Sequence, residues 1–272
     1  MTWPGAAKFR QEFLNRAGTW LREAGLAERR CTACLEPFDG DIGAGESCRS
    51  AETIVRVWLC PECRKLLKRR NEGFCPYCGE PSALEDAPCM PCGECLREMP
   101  PWSEFLFFGL HEGLLRELMV RAKFGGNLAA LDFLGHLLAE LCAEHYAAAP
   151  LPDAVVPMPL HPRRLRERGF NQCLEFARPV AKRLALPVLL RALEKTKVLK
   201  AQASLSREQR KELEQPFEAS GDVRGMRILL IDDVCTTGST LRRATECLLV
   251  AGAANVDVAV IARTSRHERP VR

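Results

Sequence analysis

Four Cys-x-x-Cys pairs stand in order along the first third of the chain: Cys31/Cys34, Cys60/Cys63, Cys75/Cys78 and Cys92/Cys95. A two-residue spacer lets one tight turn aim both sulfurs at a single ion, and zinc takes four such thiolates at about 2.3 Å. The eight paired thiols therefore predict two tetrahedral zinc sites. Grouping neighbours is simplest, 31/34 with 60/63 and 75/78 with 92/95, and a cross-braced grouping is also open. Cys89 competes with Cys95 as a ligand of the second site, but Cys95 keeps the two-residue spacing and is preferred; Cys48 stands alone in a polar loop. Pro61, Pro76 and Gly79 supply turn chemistry beside the pairs. Four thiolates leave no position for water, and so short a segment cannot bury enough apolar surface without a staple, so the expected role is structural. No strand pattern leads into any pair, which argues against thioredoxin-type redox chemistry.

A second group lies near the C-terminus: Ile228-Leu229-Leu230-Ile231-Asp232-Asp233-Val234-Cys235-Thr236-Thr237-Gly238-Ser239-Thr240. It reads as strand, acidic pair, small loop and helix start. Free N–H groups at a helix start, the helix dipole and the hydroxyls of Thr236, Thr237, Ser239 and Thr240 all donate towards one anion, so the loop suits a phosphate. Gly238 permits positive φ and close backbone approach. Two carboxylates, Asp232 and Asp233, would repel that anion unless something offsets them. The vicinal hydroxyls of a ribose, bridged by a divalent metal, do so. Cys235 reads as a small spacer, because no base is placed beside it.

This stretch resembles the phosphoribosyl-pyrophosphate motif of type I phosphoribosyltransferases. The segment Pro157-Met158-Pro159-Leu160-His161-Pro162-Arg163-Arg164-Leu165-Arg166-Glu167-Arg168-Gly169-Phe170-Asn171-Gln172 is similar to the signature of the ComF family, competence-associated proteins with an N-terminal double zinc ribbon. The resemblance covers residues 31–264. It implies that the turn carrying Arg163, Arg166, Arg168 and Gly169 holds pyrophosphate, and guanidinium forks do suit its oxygens. A solvated basic helix start is the alternative. Lys123, in Lys123-Phe124-Gly125-Gly126, also matches a family position. Gln202, Leu205 and Arg207 fit the family's mobile segment, whereas Glu212 and Leu213 replace the expected Arg/Asn types.

The elements that must position these residues follow from periodicity. From Trp102 onward strands and helices alternate. Strands are expected at 105–110, 154–157, 227–231 and 255–262, with a short apolar stretch at 188–190. Helices are expected on the face Leu114, Leu115, Leu118, Met119 and Ala122, then at 127–146, about 171–184, and 239–250. Residues 194–216 read as a mobile loop. This order predicts an α/β fold, a doubly wound, mostly parallel sheet with its crevice at the strands' carboxyl ends, and the resemblance implies that it is type I phosphoribosyltransferase-like and preceded by a small double zinc-ribbon module. The expected division is a helix at 1–28, ribbons at 29–101 and the sheet domain at 102–272, with the ribbons separable enough that losing Cys75 and Cys78 spares the phosphoribosyl site.

The 272 residues are 47% hydrophobic and 27% charged, with no apolar run of the roughly 18 residues a membrane span needs. Lys8, Arg10, Arg16 and Arg22 interrupt the N-terminus, which lacks a secretory apolar core and reads as one amphipathic helix through Phe9, Phe13, Ala17, Trp20, Leu21 and Ala24. A cytoplasmic chain is expected, and its thiols are then metal ligands rather than disulfides. Cys142, Cys173, Cys235 and Cys247 are scattered singly and read as core residues.

Two functions are open. One is an enzyme displacing pyrophosphate from phosphoribosyl pyrophosphate, with Mg²⁺ neutralising the leaving group. The other, preferred, is a phosphoribosyl-pyrophosphate-binding protein serving DNA uptake or processing. The family name comes from DNA uptake. Single-stranded DNA and other DNA-uptake proteins are its expected partners, with catalysis left open. The net charge of +4 implies no nucleic acid by itself. Arg29-Arg30, Arg64-Lys65 and Lys68-Arg69-Arg70 nevertheless line the ribbons, and Trp58 and Phe74 offer stacking faces unless they are ribbon core.

Overall fold

The structure is a computed structural model that describes residues 29–39, 50–124, 127–160, 162–195 and 217–266. The expected N-terminal helix, Cys48, the Gly125-Gly126 pair and most of the polar segment, including Gln202, Leu205, Arg207, Glu212 and Leu213, lie outside these residues.

Two cysteine-rich loops come first. Helices α1 (Ala51–Trp58) and α2 (Pro61–Leu66) belong to one and α3 (Gly93–Arg97) to the other. Ser50 caps α1, its Oγ accepting the Thr53 N–H at 3.1 Å, and α2 starts on Pro61, where a missing N–H costs nothing. There follow β1 (Phe105–Leu110), α4 (Gly113–Phe124), α5 (Leu128–Tyr146), β2 (Ala154–Pro157), α6 (Pro162–Arg168) and α7 (Gln172–Leu184). The chain continues through β3 (Leu193–Lys195), β4 (Phe217–Ala219), β5 (Arg227–Cys235), α8 (Ser239–Val250) and β6 (Asn255–Arg263). Asn127 and Asn171 cap α5 and α7, each side chain accepting a first-turn N–H at 3.0 and 3.1 Å.

The main sheet has the order β1-β6-β5-β2 and is parallel throughout. Its two central strands are apolar on both faces because both are covered. Leu229 and Ile231 of β5 and Ala259 and Ile261 of β6 face a core built with α4, α5 and α7; Ile228, Leu230, Val258 and Val260 face a second core with Leu241, Ala244 and Leu248 of α8. The sheet is therefore doubly wound. β5 extends four residues beyond the expected 227–231, since β6 runs alongside to supply partners for Asp232, Val234 and Cys235. Residues 188–190 contribute only a bridge between Val188 and Val155. The first two residues of the polar segment, Glu194 and Lys195, are strand rather than loop: β3 pairs antiparallel with β4, which begins just past the segment, Leu193 opposite Ala219 and Lys195 opposite Phe217.

Each ribbon extends one of the two cores. Cys31, Ile54, Leu59 and Cys63 join the α4/α5/α7 core, and Cys75, Cys78 and Cys95 join the α8 core. Trp58 lies against Phe133 of α5, ring centroids 6.1 Å apart, and Phe74 sets its edge on Phe107 at 5.0 Å. These rings anchor the first ribbon to α5 and the second to β1. At the second knuckle Gly79 has φ +68° and lies so close to Phe105 that a Cβ would stand 2.6 Å from its ring. No helix among the described residues is long and apolar enough to cross a membrane.

Candidate functional site

α7, which follows β2, packs on one face of the sheet, and α8, which follows β5, packs on the other. The two neighbouring strands thus send their chains apart at their carboxyl ends and open a crevice there. Asp232 and Asp233 sit at that edge. The Cys173 thiol, at the start of α7, donates to Asp232 Oδ1 at 3.3 Å, and the Lys123 Nζ, at the end of α4, lies 2.7 Å from Asp233 Oδ2. Three connections converge on one acidic pair.

The electrostatics follow from that crowding. Close packing around Asp232 desolvates its carboxylate, and the like charge of Asp233 adds to this, pushing its pKa up to about 7. Burial, reinforced by Asp232, holds the Cys173 thiol well above its ordinary value, so it stays a protonated donor. His111, just past β1, is pushed below its usual range by burial and by the Lys123 and Arg116 charges. Asp233 is left to share Lys123.

Beyond the acids, the loop 236–240 turns through Gly238 at φ +77° into α8. Thr237 Oγ1 and Ser239 Oγ are 2.9 Å apart, and the Ser239 N–H donates to Thr237 Oγ1 at 3.3 Å. Thr236, Thr237, Ser239 and Thr240 are exposed. Apart from that contact, no side chain caps α8, leaving the first turn's N–H groups available to an anion.

Behind the loop lies Arg263, whose side chain is 0% exposed. It donates to the carbonyls of Cys78 at 2.8 Å and Cys235 at 3.1 Å, to those of Thr236 and Thr264, and to the Glu80 carboxylate at 2.5 Å. Sequence reasoning missed Arg263, Glu80, Cys173 and His111. The one available signal was an arginine ending an apolar parallel strand, where such sheets place function.

The expected arginines are not brought to the acids by any described contact. α6 carries Arg163, Arg166 and Arg168 immediately past β2, with Arg166 exposed, and Gly169 closes it at φ +78° with its N–H on the Leu165 carbonyl at 2.8 Å. α6 borders the crevice all the same, since the Met158 N–H pairs with the Ile231 carbonyl at 2.8 Å. In the ribbon cluster, Arg69 pairs with Glu144 at 2.7 Å, Arg70 with Glu85 at 3.3 Å and Lys65 with Glu62 at 2.9 Å, leaving Lys68 exposed.

The cysteines form two tetrads, Cys31/Cys34/Cys60/Cys63 and Cys75/Cys78/Cys92/Cys95, each with its sulfurs within 4.8 Å of one another. Neighbouring pairs thus group, and Cys95 rather than the exposed Cys89 completes the second. The Cys34–Cys60 and Cys78–Cys92 sulfurs are 3.8 and 3.7 Å apart. A tetrahedron of thiolates about 2.3 Å from zinc has edges of about 3.8 Å. The donor chemistry agrees. Burial raises the Cys31 thiol, but the N–H groups of Cys34, Cys60 and Ala33 bring it down to about 7. Cys63 is driven far up by burial and by the sulfurs around it. Four thiolates in one cluster need a cation to coexist.

The Phosphoribosyl transferase domain family matches residues 171–272. Over 220 residues the chain is 32% identical to DNA utilization protein YhgH of Salmonella typhi, a match covering 80% of this chain and 95% of that protein. It is 30% identical to Competence protein F of Haemophilus influenzae over 79% of this chain and 95% of that one. Competence protein ComFC of Bacillus subtilis matches at 30% over 72% and 80%.

The raised pKa of Asp232 predicts a pH-dependent stability. The folded chain holds this proton more tightly than the unfolded chain, so the contribution is complete below about pH 4 and is lost as pH rises through about 7. Asp232→Asn should therefore raise the thermal midpoint at pH 8 more than at pH 5, as followed by calorimetric melting. An equal change at both values would contradict the assignment.

Proposed function

The chain belongs to the ComF family, and on that premise we propose that it binds phosphoribosyl pyrophosphate with Mg²⁺ and serves the handling of DNA during uptake. The observation that carries the reading is the acidic pair at the end of β5, next to the open start of α8. Asp232 and Asp233 hold the ribose hydroxyls and the cation. Thr236, Thr237, Gly238, Ser239 and Thr240 hold the 5′-phosphate through hydroxyls and N–H groups. Lys123, now paired with Asp233, is freed towards the diphosphate when the cation takes that carboxylate. Arg163, Arg166, Arg168 and Gly169, on the opposite bank of the crevice, complete the diphosphate site. Mg²⁺ neutralises the diphosphate's charge. The two tetrads hold structural zinc. The names of the relatives, DNA utilization and competence, support DNA and DNA-uptake proteins as partners, and a cytoplasmic location fits reduced thiol ligands.

A second reading is catalytic. The Asp232 carboxyl, poised near neutrality, suits proton exchange at working pH. The C1–O bond to pyrophosphate would break as a C1–N bond to an acceptor forms, with the nitrogen's proton passing to the carboxylate. Pyrophosphate release that depends on an added nitrogen acceptor and is lost in Asp232→Asn distinguishes it from binding alone.

Calorimetric titration of the full chain with phosphoribosyl pyrophosphate and excess Mg²⁺ should show one site. Asp232→Asn with Asp233→Asn should abolish it, and Thr237→Val should weaken it about tenfold, the loss expected for one hydrogen bond to a charged group. Unchanged affinity in the double variant refutes the site. Single-stranded DNA should bind with affinity that falls as salt rises, and Lys68→Ala should flatten the slope by about one unit. A wild type that shows no salt-dependent binding removes the DNA half of the proposal.

A further inference from the structure

A buried guanidinium must find all of its acceptors inside the protein, since a buried charge left without partners is strongly destabilising. Apart from the adjacent Thr264 carbonyl, Arg263 divides its acceptors between two places. Cys78 and Glu80 belong to the second zinc knuckle, whereas Cys235 and Thr236 belong to the approach and start of the loop 236–240. Arg266 repeats the division: its backbone N–H reaches Glu80 at 2.9 Å, its side chain pairs with Glu94 of α3, and it also reaches the Thr237 carbonyl at 3.4 Å. Trp102 adds a third link, its Nε1–H donating to the Tyr77 carbonyl at 2.6 Å while its ring lies 3.5 Å from where a Cβ on Gly238 would stand. Between these links is a cavity of about 320 Å³, walled by Cys78, Cys95, Thr237 and Gly238.

The geometry has a directional consequence. In a trans peptide the C=O of one residue and the N–H of the next point opposite ways, and the structure contains no cis peptide among its described residues. Holding the Cys235 and Thr236 carbonyls on Arg263 turns the Thr236 and Thr237 N–H groups away from the interior, towards the side where an anion approaches. The Thr237 carbonyl on Arg266 does the same for the Gly238 N–H. The knuckle fixes the other end: the Gly79 N–H bonds the Cys75 carbonyl at 2.8 Å, and the Cys75 N–H bonds the Glu80 carbonyl at 2.8 Å. With its four thiolates released from a metal, this turn loses what holds Cys78 and Glu80 against Arg263. The first tetrad lies with the opposite core and serves as an internal control.

We propose that Arg263 is a positioning residue for the loop 236–240 and that the second cysteine tetrad sets it through Cys78 and Glu80, so that metal at the tetrad and a phosphoribosyl anion at the loop favour each other. This rests on the phosphoribosyl reading of the loop. Such coupling is reciprocal, so the anion must also slow loss of the metal. The test uses the full chain loaded with two zinc ions, a zinc-selective chelator that leaves Mg²⁺ in solution, and N-ethylmaleimide to trap freed thiols, mapped peptide by peptide by mass spectrometry. Saturating phosphoribosyl pyrophosphate should slow labelling of Cys75, Cys78, Cys92 and Cys95 about tenfold and leave Cys31, Cys34, Cys60 and Cys63 unchanged. Arg263→Lys, which keeps the charge but loses the fork, should retain two zinc ions and lose the protection. A purely structural role would lower the melting midpoint without any tetrad-specific response to ligand. Should Arg263→Lys not fold, Arg266→Gln, at a partly exposed position, should at least halve the protection. Slowing at both tetrads, or at neither in a wild type that binds the ligand by calorimetry, overturns the proposal. Failure of the zinc-loaded wild type to bind at all overturns the phosphoribosyl reading as well.

Discussion

The guanidinium of Arg263 has no water to turn to, and the way it is satisfied organises the functional edge of the molecule. Its donors reach a carboxylate and a carbonyl of the second ribbon on one side and the carbonyls of residues 235, 236 and 264 on the other. Replacing such a group leaves either a buried charge without partners or several buried carbonyls without donors, and both are expensive. Ribbon, central strand and loop are therefore held by one side chain. The Thr236 carbonyl at the start of the loop and the Glu80 carboxylate of the second ribbon thus share one donor.

The same logic runs through the rest of the fold. A parallel sheet must be covered on both faces, and here each face receives helices and one cysteine tetrad. The ribbons are parts of the two cores, fixed by Trp58 on Phe133 and by Phe74 and Gly79 on the aromatic residues of β1. At the edge where α7 and α8 part, Asp232 and Asp233 are forced together. The protein relieves that repulsion in two ways, with Lys123 on Asp233 and a proton held near neutrality on Asp232 beside the Cys173 thiol.

Much of this was legible in the sequence because it is local. Two-residue cysteine spacing, an apolar strand running into two acids, and a Gly/Ser/Thr loop before a helix each declare their chemistry within a dozen residues. The tetrads group as spacing suggests, and the main strands lie where periodicity puts them. What could not be read is non-local. Glu80 and Arg263 are 183 positions apart, and no window of sequence relates them. β5 outruns its own apolar pattern because β6 supplies its partners, and β3 forms only because β4 returns beside it. The basic run at 68–70 reads as a charged face, yet Arg69 and Arg70 are committed to Glu144 and Glu85, one partner 75 positions away and the other 15. Arg163 and Arg168 are placed by pattern on α6 past β2, and their part in the site is a proposal.

Hydrogen exchange, read peptide by peptide on the zinc-loaded full chain with and without phosphoribosyl pyrophosphate and Mg²⁺, tests most directly whether the second ribbon and the loop are one unit. Ligand should raise protection of the amides in 236–240 and, together with them, those in 75–80, leaving 31–34 as they were. Protection confined to the loop, or found in neither segment, would contradict it.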